Sequence, residues 1–345
     1  MSIFEGKRSV ALGAILATTL TGAAAAQTTI SFADYGPNRG DRAGTVQDFF
    51  AEIKERSGGE IEIVEHWGGA LLGAKNGFRG LQSGVADMST ITAVYAPQDL
   101  FGYRVGDLPI TSENEVAQSM ALYELATTNE GLQAQFDRAG VVYIGNYTVG
   151  PIQMVCNGVD LQSFDDLKGK KVRYTAEYGK IFDDLGVTTV ELSTPEIYQA
   201  LSTGLVDCAQ TYAYTTLSYK LIEVSDQFVI FDLGTLGSNA IFMNKNSFER
   251  LSPEQQEIVV TAGRNLTENN ARTIREANQQ AIAEFPNGID GKELTVTNIS
   301  DEDREMIEEA SQKYIDAWIE ESSDYGLDGQ AIVDQYRSLI DQSTR

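Results

Sequence analysis

Over the first two thirds of the chain, apolar residues recur with two alternating periods. Val46, Phe49, Phe50 and Ile53 fall at the three- and four-residue spacing of an amphipathic helix, which stops at Gly58-Gly59. Ile61 and Ile63 then alternate with Glu60, Glu62 and Glu65, the period of a half-buried strand. The same reading predicts strands at 29–33, 85–92, 141–147, 152–156, 170–174, 188–192, 205–209 and 227–231. Helices are expected between them, at 77–83, 113–137, 178–185, 195–202 and 216–224. This alternation implies open α/β sheets with helices on both faces.

From Pro253 the pattern becomes helical. Val259, Ala262, Leu266, Ile274, Ala277, Ala281 and Phe285 keep helical spacing up to Pro286-Asn287-Gly288. A helix of that length runs about 50 Å at 1.5 Å per residue. That exceeds the width of one small domain, so the helix is expected to lie across two. A strand at 294–297 and two helices complete the chain, the first carrying Met306, Ile307, Ala310, Tyr314 and Trp318 on its apolar face. With no flexible linker between the halves, the two domains are expected to be joined by strands.

The N-terminus bears on the compartment. Lys7 and Arg8 precede an uncharged apolar stretch from Val10 to Leu20, and Ala23–Ala26 offers a small-residue cleavage site. This reads as a secretory signal peptide over 1–26, cut near Ala26, and the mature chain as exported and not membrane-embedded. In an oxidising compartment Cys156 and Cys208 have one intramolecular pairing open to them. The disulfide is the favoured reading and two separate buried thiols the alternative.

Composition removes several classes of chemistry. The 345 residues hold 50 acidic and 26 basic side chains, a net charge of −24, which argues against a nucleic-acid partner. His66 is the single histidine, so multi-histidine metal sites are excluded and no metal or cofactor is expected. Gly68, Gly69 and Gly73 lack the dinucleotide-binding spacing and read as a turn before a helix. No nucleophile–base pair stands out, and no catalytic residue is assigned.

More specific are several stretches in order. Gly68-Gly69-Ala70-Leu71-Leu72-Gly73, Gly84-Val85-Ala86-Asp87-Met88 and Asp107-Leu108-Pro109 come first. Asp166-Leu167-Lys168-Gly169-Lys170-Lys171-Val172-Arg173 follows, then Glu196-Ile197-Tyr198-Gln199-Ala200-Leu201 with Gly204-Leu205-Val206-Asp207. Phe242-Met243-Asn244-Lys245 and Leu251-Ser252-Pro253-Glu254-Gln255-Gln256 close the series. Together they resemble the periplasmic solute-binding proteins of tripartite ATP-independent (TRAP) transporters, the dicarboxylate-type family. The resemblance covers essentially the whole mature chain. It implies a two-lobed α/β periplasmic binding protein fold, type II-like, with a long domain-spanning helix. Lobe I is expected over 27–149 plus 236–275 and lobe II over 150–235 plus 276–345, with the helix at about 253–285 crossing both.

The resemblance further implies a periplasmic receptor that captures a small carboxylate between its lobes and passes it to TRAP membrane subunits. The arginine closing the Asp-Leu-Lys-Gly stretch, Arg173, is then expected to hold the carboxylate, a role suited to a rigid bidentate guanidinium. The negative net charge does not forbid this, since salt screens exposed charges over about 8 Å. Many acid binders of that family carry Gly-Gln-Glu-Asn-Pro after the hydrophobic-Asp pair, whereas this chain has Cys208-Ala209-Gln210-Thr211-Tyr212. Gln210, Thr211, Tyr212 and Asn239 are therefore expected to tune selectivity, with Thr194 in a cleft position and Tyr35, Tyr95, Tyr147, Tyr174 and Tyr214 also facing the cleft. Two other readings remain: an aromatic-cage receptor for a cationic osmolyte, and an exported hydrolase on a similar scaffold.

Overall fold

The computed structural model describes residues 27–110, 112, 114–289 and 291–343, so the expected leader at 1–26 lies outside the described residues. Two sheets organise the chain. The first has the order β2-β1-β3-β10-β4, built from β1 (Thr28–Ala33), β2 (Ile61–His66), β3 (Met88–Thr92), β4 (Val141–Asn146) and β10 (Asn239–Asn244). The second has the order β11-β9-β5-β8-β6-β7, built from β5 (Gln153–Cys156), β6 (Lys171–Tyr174), β7 (Thr188–Glu191), β8 (Cys208–Thr211), β9 (Gln227–Ile230) and β11 (Thr295–Asn298). In each sheet one strand runs antiparallel to its neighbours, β10 in the first and β5 in the second. These are the strands the chain enters directly on crossing between lobes, which makes the connections strands and not a tether.

Helices cover the sheets. The first lobe uses α1 (Gly40–Arg56), α2 (Gly77–Gln82), α3 (Glu115–Thr128) and α4 (Glu130–Arg138), and the second α5 (Glu177–Asp184), α6 (Ile197–Ser202) and α7 (Ala213–Ser218). The chain then adds α8 (Lys245–Glu249), α9 (Pro253–Glu284), α10 (Asp301–Glu321) and α11 (Gly329–Ser343). The expected single helix over 113–137 is two. Asn129 breaks it, because its side chain accepts the Leu132 N–H at 3.1 Å and so caps α4 as a new start.

The long helix spans both lobes. Ser252 and Gln255 form a capping box and Pro253 opens α9. Val259, Ala262 and Leu266 pack into the first lobe's core, and Ile274, Ala281 and Phe285 (the last just past the helix end) into the second lobe's two clusters. Polar residues on the same face serve the crossing segment after β4, whose backbone has no sheet partner there. Thr267 accepts the Asn146 N–H at 3.2 Å, Asn270 accepts the Thr148 N–H at 3.0 Å, and Asn278 donates to the Val149 carbonyl at 3.3 Å. Contact is closest where Gly263 meets β4, since a Cβ there would lie 2.1 Å from the Ile144 carbonyl oxygen.

The C-terminal segment departs from the expected placement of 276–345 in lobe II. Ile307 of α10 packs in the second lobe, but Trp318, further along, stacks on Phe101 of the first lobe with ring centroids 5.3 Å apart. Ile332, Val333, Tyr336 and Ile340 of α11 then join the core that α3 lines. The chain thus returns to lobe I, because the apolar stripe of α11 is buried against that lobe's helices. Cys156 and Cys208 sit opposite one another on β5 and β8 and are bridged. Among the described residues no helix is long and apolar enough to cross a membrane.

Candidate functional site

The carboxyl ends of the parallel strands of both sheets converge on one cavity, the place where open α/β sheets hold ligands. Tyr35 follows β1, Thr92 ends β3, Tyr95 lies just beyond it and Tyr147 follows β4. From the other lobe come Arg173 on β6, Thr175 just after it, Thr194 after β7, and Tyr212 after β8. Asn239 opens β10 opposite Thr92 and so reaches the same edge. Residues of both lobes line this cavity, so it lies between them.

Arg173 is 2% exposed. Its Nε donates to the Leu192 carbonyl at 2.8 Å and its Nη1 to the Gln210 carbonyl at 3.1 Å, both fixed points on neighbouring chain segments. Its Nη2 is buried without a hydrogen-bond partner among the described residues. No carboxylate of the described residues pairs with it. A guanidinium held by two backbone carbonyls, with its remaining N–H groups on a cavity, is set to receive an anion.

Tyrosines line much of the remaining wall. Tyr35, Tyr95, Tyr147, Tyr212, Tyr214 and Tyr219 all border the cavity. Burial pushes the phenols of Tyr35, Tyr147, Tyr212, Tyr214 and Tyr219 above their ordinary range, so they remain protonated donors. The Tyr147 hydroxyl is, like Arg173 Nη2, buried without a hydrogen-bond partner among the described residues. Tyr35 and Thr92 hydroxyls lie 2.6 Å apart, and Thr92 donates on to Asn239 Oδ1 at 2.7 Å, which fixes that corner. Asp107 is a carboxyl on the same wall, where burial pushes its pKa up to about 6 although the Ser238 hydroxyl and N–H both donate to it.

The expected site residues divide. Arg173, Tyr212, Asn239, Tyr95, Tyr147, Tyr35 and Thr194 border the cavity. Gln210 and Thr211 do not line it. Gln210 is wholly buried behind the wall, where its side-chain oxygen accepts the Thr175 N–H at 3.0 Å while its carbonyl holds Arg173. Thr211 is also buried, and its hydroxyl turns to the Tyr212 carbonyl at 3.5 Å. Tyr214 borders the cavity as expected, whereas Tyr174 does not line it and packs in the second lobe's core against Phe182; Arg42, Tyr219 and Asp107 line the cavity but were not among the expected residues. Arg42 carried a readable signal: it falls four and seven residues before Val46 and Phe49, on the apolar face of α1.

The lobes touch around the cavity rim. Arg104 of the first lobe pairs with Glu177 of the second at 2.6 Å, Lys75 with Glu196 at 3.0 Å, and the Thr194 N–H donates to the Tyr95 hydroxyl at 3.2 Å. Arg39 donates to the Ser218 carbonyl across the same gap.

The model of the family described as "Bacterial extracellular solute-binding protein, family 7" (DctP) matches residues 32–322. A solute-binding protein of Albidiferax ferrireducens is 26% identical over 224 residues, which cover 63% of this chain and 64% of that relative's length. Among solved structures, a TRAP periplasmic solute-binding protein of Bordetella bronchiseptica with bound (R)- and (S)-mandelate aligns over 91% of this chain and 99% of its own, with TM-score 0.80 and 21% identity. DctP6, a Bordetella pertussis extracytoplasmic solute receptor binding pyroglutamic acid, aligns over 90% and 100% with TM-score 0.79 and 22% identity. At these identities the likeness establishes a shared fold.

Proposed function

Since the chain belongs to the DctP family of bacterial extracellular solute-binding proteins, we propose that it is an extracytoplasmic receptor for a small organic acid. The ligand enters the inter-lobe cavity, the lobes close around it by hinge motion, and the loaded protein delivers it to a TRAP-type membrane transporter. The observation that carries this reading is the buried Arg173 guanidinium, bordering the cavity with Nη2 unpartnered and no carboxylate of the described residues to neutralise it. A ligand carboxylate completes both its hydrogen bonding and its charge. The two Bordetella proteins of the same fold bind small organic acids, mandelate and pyroglutamic acid.

Around the carboxylate, Tyr147 offers an unpaired hydroxyl, and Tyr212, Tyr95, Tyr35, Thr194 and Asn239 shape and tune the remaining wall. An aromatic cage for a cationic osmolyte fits less well, because the Arg173 guanidinium on this cavity has no carboxylate partner among the described residues and its charge opposes a cation. The reading places the mature protein outside the cytoplasmic membrane, in keeping with the leader expected at 1–26.

The test is isothermal titration calorimetry on the acid identified by thermal-shift screening, with Arg173→Ala beside the wild type. Each charge-assisted hydrogen bond is worth about 1.5–3 kcal/mol, so the variant is expected to lose at least about tenfold in affinity. Affinity unchanged within twofold would remove Arg173 from the site.

A further inference from the structure

The cavity's two guanidinium groups stand in opposite electrostatic states. Arg173 meets only backbone carbonyls. Arg42 instead forms a bidentate pair with Asp34, Nη1 to Oδ2 at 2.7 Å and Nη2 to Oδ1 at 3.3 Å. The Asp34 side chain has no exposed surface and is fixed further by the Gly36 N–H at 2.6 Å and the Thr90 hydroxyl at 2.8 Å. The Arg42 guanidinium lies over the Tyr147 ring, 5.4 Å from its centroid. Arg42 therefore borders the cavity as one half of a neutral pair whose geometry is already determined by the protein.

We propose that Asp34, by cancelling Arg42, sets the number of charges the ligand can carry at one. On this account the site takes monocarboxylic acids whose far end bears a neutral oxygen acceptor, a hydroxyl or carbonyl, and rejects dicarboxylates of the same shape. This inference rests on the organic-acid reading above and narrows it. A second carboxylate would be stripped of water next to a guanidinium already occupied by Asp34, and would find no free counter-charge. Asp107, on the same wall, adds a carboxyl that opposes it further. A neutral acceptor pays far less desolvation and finds protonated phenols around it. Asp34 is a positioning residue here: it acts on selectivity through Arg42.

The experiment is calorimetry on the mature chain, wild type and Asp34→Asn, with two matched pairs of probes: 3-hydroxybenzoate against isophthalate, and 4-hydroxybutyrate against succinate. In the wild type the hydroxy acid of a bound pair is expected to be preferred about tenfold or more, since uncompensated charge at an interface costs several kcal/mol. Asp34→Asn is expected to cut that preference about tenfold or reverse it, because the uncancelled Arg42 then accepts the second carboxylate. A wild type that binds the dicarboxylates as tightly overturns the proposal while leaving the organic-acid receptor intact, and it does so even if the variant fails to fold. A folded Asp34→Asn protein with an unchanged ratio overturns it as well. Binding of none of the four acids counts against both readings.

Discussion

Breaking the ion pair between Arg104 and Glu177 tests whether contacts across the rim hold the closed arrangement. The pair is 2.6 Å long, links a 3₁₀ turn of the first lobe to α5 of the second, and leaves the side chains 15% and 8% exposed. Removing one partner of a fully buried pair costs about 3–5 kcal/mol. Here Lys180 also contacts Glu177, at 2.8 Å, and Arg104 is partly wet, so about 1–2 kcal/mol is the reasonable magnitude for Glu177→Gln. That cost falls on the closed form alone, because with the lobes apart Arg104 returns to water. Ligand affinity is therefore expected to fall about 5- to 30-fold, while the melting temperature of the ligand-free protein stays nearly unchanged. Calorimetry gives the affinity, and small-angle scattering with and without ligand gives the extent of closure. Unchanged affinity, or a ligand-free melting temperature that falls in step with it, would refute the idea that the pair acts as a latch.

Further outcomes follow from the same geometry. Replacing Cys156 and Cys208 by serine opens a loop with a sequence separation of 52 and is expected to cost up to about 4 kcal/mol in denaturant unfolding. Ligand affinity should change little, since the bridge sits at the end of β8 away from the cavity. Gly263→Ala should cost on the order of 3 kcal/mol by the same assay, because the new methyl group meets the Ile144 carbonyl on β4. Asp107, held near pH 6 when folded against an ordinary value of 3.8, binds its proton more tightly in the native state. Its contribution to stability is full below about pH 4 and is lost as pH rises through 6, on the order of 3 kcal/mol in all. Asp107→Asn should flatten that part of the stability profile measured by urea unfolding between pH 4 and 7.

Much of the architecture was legible in the sequence because it rests on period and punctuation. The long helix carries its stripe from Val259 to Phe285 in plain view, and α9 lies where the stripe predicts. Strand β10 was not legible as a strand. Ala240-Ile241-Phe242-Met243 is a short, continuous apolar run buried on both faces, and such a run has no period to read. Nor does periodicity tell which lobe a terminal helix such as α11 docks against, because its partner surface lies far away in the chain. In the site, Arg173 was found through a resemblance in its flanking residues, and the strand geometry then explains its burial. Gln210 and Thr211 were assigned by position in a family stretch, but the structure turns Gln210 away behind the wall and leaves the cavity to Tyr212 and Tyr214. Arg42 was missed although its place on the apolar face of α1 was readable, because its partner Asp34, just past β1, is brought to it only by the fold.

The most direct measurement is a crystal structure of the protein with its captured acid. The account predicts that a carboxylate oxygen of the ligand lies within hydrogen-bonding distance of Arg173 Nη2, with the Arg42–Asp34 pair intact. An acid bound elsewhere, or one seated in the cavity with its carboxylate turned away from Arg173, would contradict it.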